Sequence, residues 1–345
     1  MQHEVTEVQD LLGQNGKIIE QGWARRPVWK YSRNAIRAPK LAIKEWDYYA
    51  IVSHEHDLYV TATFSDLGYA GLFALAFIDL KQKTATQVDA IKLLPLGKLG
   101  LRSDSNDHSI SWMNERLRLA FSRQGQKRRI LAASPQMKLP DGSSGLDIDV
   151  MLTQPESFES MNIATSWEQN RKAFYLNEKV NCMNAEGTIR VGNRTIQLQN
   201  GEAFGTLDWG RGRWTYKNRW YWSSLSTSIE GIPFGFNIGY GFSDRSVASE
   251  NVLFYDSIVH KLDQVTFEIP QDDYMKPWKF TSSDGRFEMD FKPLVDRSSR
   301  MNLLLVKSVQ HQVFGTFSGK AILDDGKVIT LDEVYGFAED VYNRY

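Results

Sequence analysis

The chain has 345 residues, 42% hydrophobic, 12% aromatic and 24% charged, with a formal net charge of −1. That length supports two domains with cores of their own, and the near-neutral charge provides no global field for nucleic acid or an anionic membrane. A single cysteine, Cys182, excludes an intrachain disulfide and a cysteine-based metal site.

Taken in order, residues 1–22 read as a mobile or helical lead-in with a turn at Asn15-Gly16. They lack the basic head and apolar run of a signal peptide. The longest apolar run, at 70–78, is too short to cross a bilayer as a helix. The expected location is the cytoplasm, without stable membrane insertion. From Trp23 the chain becomes a succession of short segments rich in β-branched and aromatic residues, separated by turn residues. The first half has strand patterns at 45–53, 58–64, 71–80, 108–113, 116–122, 129–133, 146–153, 173–182, 187–191 and 195–199. The second half has them at 220–227, 234–242, 251–255, 264–269, 287–292, 301–310, 313–323 and 328–337. Asp284-Gly285 and Asp325-Gly326 mark tight turns. No long segment repeats with a period of 3.6, so the pattern predicts an all-β sandwich or barrel.

The halves resemble each other. Trp46 and Trp220 lie 174 residues apart, Asp79 and Asp256 177, and Phe121 and Phe291 170. Gly187 and Gly319 then lie 132 apart, and Asp208 and Glu339 131. The common order of these matches predicts a duplicated β-domain, with an insertion around 124–178 in the first copy. The expected organisation is a lead-in at 1–22, one domain at 23–212 and a second at 213–345. Asp208 and Glu339 become equivalent positions, each closing its own domain.

Between the copies, residues 204–222 hold four tryptophans, two tyrosines, three arginines, Asp208 and three glycines. A carboxylate beside arginines and large rings can hold a substrate and transfer a proton. Here Arg211 would set the charge of Asp208, with Trp209 or Trp214 as an apolar wall. The alternative is an ion pair that fixes the domain junction. In 235–242, Gly235, Asn237, Gly239 and Gly241 share one strand face. That face leaves room for a ligand anchored by Asn237, or for a large side chain such as Trp222; Tyr240 lies on the other face. Glu250, Asn251 and His260 offer an acid–base set at a strand mouth, or loop-capping groups. His54-Glu55-His56 reads as an exposed turn rather than a metal site. No nucleophile elbow or phosphate loop occurs, and no metal or cofactor is expected.

Several segments together are specific. They are Leu207-Asp208-Trp209-Gly210-Arg211-Gly212, Gly235-Phe236-Asn237-Ile238-Gly239-Tyr240-Gly241-Phe242, Ser249-Glu250-Asn251, His260-Lys261-Leu262, His311-Gln312-Val313-Phe314-Gly315 and Gly336-Phe337-Ala338-Glu339. On these residues the chain resembles the family known as domain of unknown function 2804, over nearly its whole length. More remotely it is similar to the double lipocalin-like carotenoid 1,2-hydratases and fungal pericyclases. In those proteins an acidic residue and a tryptophan-containing motif sit near the domain junction; the hydratases' own acid residues have no assigned positions here. The resemblance implies two tandem lipocalin-like antiparallel β-barrel or sandwich domains.

The expected function is binding of a hydrophobic small molecule at the junction, with acid/base chemistry on it: hydration, cyclisation or isomerisation. The alternatives are a non-catalytic carrier of a lipid-like ligand and a structural protein without a pocket. The candidate catalytic residues are Asp208, Glu250 and His260. The candidate ligand-binding residues are Trp209, Arg211, Trp214, Trp222, Asn237, Tyr240, Asn251 and Glu339. Nothing in the sequence points to an oligomeric state.

Overall fold

The structure, a computed structural model, describes residues 2–106, 109–303 and 306–344. Its strands are β1 (Gln9–Asp10), β2 (Gly22–Ala24), β3 (Trp29–Lys30), β4 (Ile43–Ser53), β5 (Leu58–Asp66), β6 (Ala70–Asp79), β7 (Thr84–Leu93) and β8 (Ser109–Met113). Then come β9 (Arg118–Gln124), β10 (Lys127–Lys138), β11 (Ser144–Thr153), β12 (Met161–Trp167), β13 (Asn170–Val191), β14 (Arg194–Leu198), β15 (Ala203–Arg213) and β16 (Lys217–Ile229). The last are β17 (Ile232–Tyr240), β18 (Val252–Tyr255), β19 (Ile258–Lys261), β20 (Val265–Glu268), β21 (Trp278–Ser282), β22 (Phe287–Leu303), β23 (Val306–Ile322) and β24 (Val328–Arg344). The only helical pieces among the described residues are two short 3₁₀ turns.

Alternation makes these segments strands. Leu146, Ile148, Val150 and Leu152 of β11 are buried in the first core, and the residues between them face outward. Phe287, Met289 and Phe291 of β22 do the same in the second core. Two curled antiparallel sheets result. The first runs β7-β6-β5-β4-β15-β13-β11-β10-β9-β8, with β12 and β14 pairing on β13 and β2 on β12. The second runs β19-β18-β17-β16-β24-β23-β22-β21-β20. In each, a four-strand meander is followed by the rest of the sheet, and the last long strand returns beside the first. The protein therefore consists of two tandem lipocalin-like β-barrel domains, each curled around an aromatic-rich core.

Register supports the duplication residue by residue. Trp46 pairs with Gly210 and Tyr48 with Asp208; Trp220 pairs with Val341 and Trp222 with Glu339. Asp208 and Glu339 thus hold the same place in their sheets. Gly187 (φ +141°) lies opposite Val150, and Gly319 (φ +148°) opposite Met289. Those pairings correct one expected match. The counterpart of 287–291 is 148–152 in β11, not the segment ending at Phe121. Two strands with apolar residues at every second position match in any even register, so the pattern could not choose between them. The correction moves most of the first half's extra length ahead of Ser144. Residues 76–79 were likewise one residue out: Phe77 and Leu253 are the inward-facing equivalents.

Other expectations change as well. The lead-in is neither mobile nor helical, because Val5 and Leu11 are buried and β1 pairs with β3. His3 N–H also donates to Val247 O at 3.0 Å, tying the N-terminus to the second domain. His54 sits in a turn but is not free: its Nε2 lies 3.0 Å from Ser226 O, and its ring stacks on Tyr335. The segment read as one strand at 301–310 holds the end of β22 and the start of β23; residues 304–305, like His108, lie outside the described residues. Strands β7, β12, β15, β19 and β21 fall outside the strand patterns read from the sequence.

A Cβ on Gly187 would lie 2.2 Å from Asp149 O, and one on Gly319 2.2 Å from Glu288 O. Both glycines also sit at a backbone conformation that other residues reach only at a cost. Gly187→Ala and Gly319→Ala should each destabilise by roughly 2–4 kcal/mol. Urea unfolding checks this, and a loss under about 0.5 kcal/mol at either glycine would contradict the shared geometry.

Candidate functional site

The candidate site follows from the alternation of β15. Thr206, Asp208 and Gly210 face the second domain, while Leu207, Trp209 and Arg211 point into the first barrel. Arg211 therefore does not reach Asp208. It is fully buried, pairs with Asp47 at 2.9 Å and donates to the carbonyls of Arg102, Trp46 and Gly210. Its guanidinium lies 4.1 Å from the centroid of the Trp209 ring. Arg211 and Trp209 are thus parts of the first barrel's interior rather than of a junction pocket. Their distance in sequence from Asp208 already carried the sign: odd spacings on a strand change face.

The partner of Asp208 is Lys179, on the neighbouring strand β13, at 2.8 Å. Asn177 Nδ2 donates to the other carboxylate oxygen at 2.6 Å. Asp208 is 8% exposed and Lys179 2%, so the pair is nearly dry. Beyond it the Lys179 ammonium lies 3.9 Å from the centroid of the Trp222 ring, contributed by the second domain. Trp222 Nε1 donates to Asn237 Oδ1 at 2.7 Å, and Asn237 Nδ2 to the Glu250 carbonyl at 2.9 Å. This chain of contacts crosses the junction from β15 through β13 and β16 to β17 and the residues before β18.

Two more carboxyl groups face the pair. Glu250 is buried, with the Tyr175 hydroxyl 3.4 Å from it, and desolvation raises its pKa while Lys179 opposes the rise. Glu339 accepts from Gln312 Nε2, which also donates to the Tyr48 hydroxyl at 3.1 Å. Desolvation pushes Glu339 up to about 7, against the pull of Arg297 and Lys179; the charge of Asp208 adds to the rise. The ring of Tyr48 packs edge-on against Trp222 at 5.7 Å. Three carboxyl groups, one lysine and two large rings therefore share one buried region where the domains meet.

The remaining candidates divide. Asn251 Oδ1 accepts from Gly239 N–H, and its Nδ2 donates to Asp263 O, so it braces the Glu250 loop. Trp214 joins an aromatic cluster with Trp46, Trp167, Tyr175, Trp220 and Phe242, adjacent to Glu250 through Tyr175. The Tyr240 ring packs on Tyr221 and Phe267, away from Asp208. His260 is bonded to Asp324 and is not part of the cluster. The glycine face of β17 is occupied: a Cβ on Gly235 would lie 2.7 Å from Cys182 Sγ, and one on Gly239 2.1 Å from a Glu250 carboxyl oxygen. Thus Cys182 and Glu250 crowd its glycines, and the Trp222 indole covers it at Asn237.

Sequence reasoning missed Lys179, Asn177, Tyr48 and Tyr175 as site residues. A lysine at the centre of an apolar strand was a usable signal, since such a charge is buried only with a partner. Among the described residues no group of three acidic, histidine or cysteine side chains could hold a metal. No helix among them is long and apolar enough to cross a membrane.

Space at the site is small. A cavity of about 10 Å³ is lined by Ile163, Tyr175, Gly239, Phe242 and Glu250 among others. Ser243 and Arg245 separate it from an open surface cleft of about 440 Å³ bounded by Glu168, Asp244 and Gln264.

A family model described as domain of unknown function DUF2804 matches residues 2–345. The chain belongs to this family. Solved structures with the same fold include an AttH-like protein from Nitrosomonas europaea, at TM-score 0.53 and 11% identity, covering 90% of this chain and 95% of that one. CghA with Sch210972 is similar at TM-score 0.53 and 11% identity, over 88% of this chain and 89% of that one. Kievitone hydratase from Nectria haematococca aligns at TM-score 0.49 and 12% identity, over 88% of each chain. A comparison with curated proteins finds no match. The two likenesses at TM-score 0.53 establish the double lipocalin-like fold of this DUF2804 protein.

The raised carboxyl of Glu339 has a signed consequence. The folded state holds its proton more tightly than the unfolded chain, so its contribution is full below about 4.5 and is lost as pH rises to about 7. Because Glu339 retains some solvent exposure, the loss is at most about 3 kcal/mol. Glu339→Gln cannot titrate, so it should gain stability relative to the wild type between pH 5 and pH 8. Urea unfolding at both pH values tests this; a constant difference would mean an ordinary carboxylate.

Proposed function

We propose that this DUF2804 protein binds a hydrophobic, hydroxyl-bearing small molecule at the junction of its barrels and performs acid/base chemistry on it. The observation that carries the reading is Glu250: a buried carboxyl with a raised pKa that lines a cavity and lies within electrostatic reach of Asp208 and Lys179. A carrier needs apolar walls and an anchor, whereas proton transfer needs an acid or base aimed into the space. Burial raises the pKa of both Glu250 and Glu339, which favours the protonated carboxyl that a general acid needs. Hydration, cyclisation and isomerisation of an apolar molecule all use such a donor. Trp222 and Tyr48 would form its apolar walls.

Two further features support it. The amide oxygens of Asn177, Asn181 and Gln312 are buried there without a hydrogen-bond donor, and hydroxyl groups on a ligand would satisfy them. CghA, which has the same fold, was solved with Sch210972. Entry would run from the surface cleft past Ser243 and Arg245, so residues 241–249 must move to admit anything larger than water.

The first experiment is native mass spectrometry of protein purified from its own host, with solvent extraction of any retained compound. A reproducible apolar, hydroxylated species supports the reading. The second compares Asp208→Asn with Asp208→Asn/Lys179→Met. The single change strands the Lys179 charge and should destabilise by roughly 3–5 kcal/mol; the double change should recover much of that. If the junction is a site, the double variant stays folded yet binds the extracted compound at least tenfold more weakly, about 1.4 kcal/mol. Full affinity in the folded double variant would leave the pair as structure alone.

A further inference from the structure

Away from the junction, one rim of the first barrel carries a surface that its packing does not require. Three segments converge there: residues 33–42, the turn at 67–69, and residues 91–98. The contacts are specific. A Cβ on Gly68 would meet Lys40 O and Leu41 Cα, and one on Gly97 would meet the Arg33 guanidinium. Leu94 N–H donates to Tyr69 O and Leu96 N–H to Gly68 O. Four large apolar side chains are left in water at this rim: Leu93 is 78% exposed, Leu94 61%, Ile91 59% and Leu41 49%. Single exposed leucines are ordinary, but a group of four on adjoining segments is not.

The charges around them are segregated. Residues 33–42 and 91–102 contain six lysines and arginines and no acid, in a chain whose totals are 41 basic and 42 acidic residues. Arg37, Lys40, Lys92, Lys98 and Arg102 are exposed. The acids beneath face inward: Asp66 accepts from Gly68 and Gly97 N–H, and Glu45 pairs with Arg33 and Tyr31. Along the sequence, the exposed acids next to residues 91–102 are Asp89 and Asp104, which flank them. Leu94 (φ +49°) and Leu96 (φ +53°) also occupy the left-handed region, which glycine or asparagine would hold more cheaply.

We propose that this rim is a docking surface for an anionic lipid bilayer. The leucines and Ile91 would enter the headgroup boundary, and the ring of lysines and arginines would face acidic lipid heads. The combination selects this partner. Basic side chains alone would suit a nucleic acid, and apolar ones alone a second copy of the chain. Here both occur on the same segments, with no acid among them. Docking of this kind is reversible and peripheral, and it does not depend on the function proposed for the junction.

The test uses the full chain and sedimentation with vesicles of phosphatidylcholine alone or with about one-third phosphatidylserine. The protein should pellet only with the anionic vesicles and be released near 0.5 M salt, where the screening length falls to roughly 4 Å. Leu93→Glu/Leu94→Glu should abolish pelleting. Lys92→Glu/Lys98→Glu should weaken it about tenfold or more. Thermal melts of both variants should match the wild type, since the sites are exposed. The proposal fails if anionic vesicles do not pellet the protein, or if neither variant changes binding. It also fails if free wild-type protein is a dimer that the leucine variant splits, which would make the patch an interface between copies.

Discussion

The Lys179 ammonium is the interaction around which the junction is arranged. It is 2% exposed, and a charge so placed is held only by groups that offset its lost hydration. Asp208 supplies the opposite charge at 2.8 Å from the same sheet, and Trp222 supplies a ring face from the other. This couples the two barrels electrostatically as well as by packing. Burial and the Asp208 charge raise both Glu250 and Glu339, though Lys179 restrains each. An ion pair that served only to fasten two domains would need neither of those extra acids.

The duplication explains why acids meet there. Asp208 lies opposite Tyr48, and Glu339 opposite Trp222, in corresponding strand pairs. When two copies pack through the outer faces of those pairs, the corresponding carboxyls are brought into one region. The copies then diverged in their surroundings. Asp208 has a lysine at bonding distance, whereas Glu339 has the neutral Gln312 and is pushed up to about 7 by burial.

The barrel interiors play a different part. Phe64, Phe73 and Phe121 fill the first, and Phe236, Phe287 and Phe317 the second. Packed interiors of that kind hold the strands rigid and leave chemistry to the outer faces and rims. The short cavity at Glu250 and the cleft beside residues 241–249 fit that division, because both lie outside the barrels.

The sequence by itself determined the fold class, an all-β chain of two tandem lipocalin-like units, and it singled out Asp208, Glu250, Trp222, Asn237 and Glu339 as candidates. Strand periodicity is local, and it survives in the order of residues. The repeat was legible because Gly187 and Gly319, or Trp46 and Trp220, meet the same backbone constraint twice. Only the tertiary structure decided which of these residues meet. Arg211 and Asp208 are three apart in the chain and on opposite faces of one strand, while Lys179 and Asp208 are adjacent through a pairing of strands distant in sequence. His260 and Tyr240 carried suitable chemistry but are directed elsewhere. The match of 116–121 to 286–291 failed for the same reason: a period of two records which residues turn inward, but not which strand lies alongside.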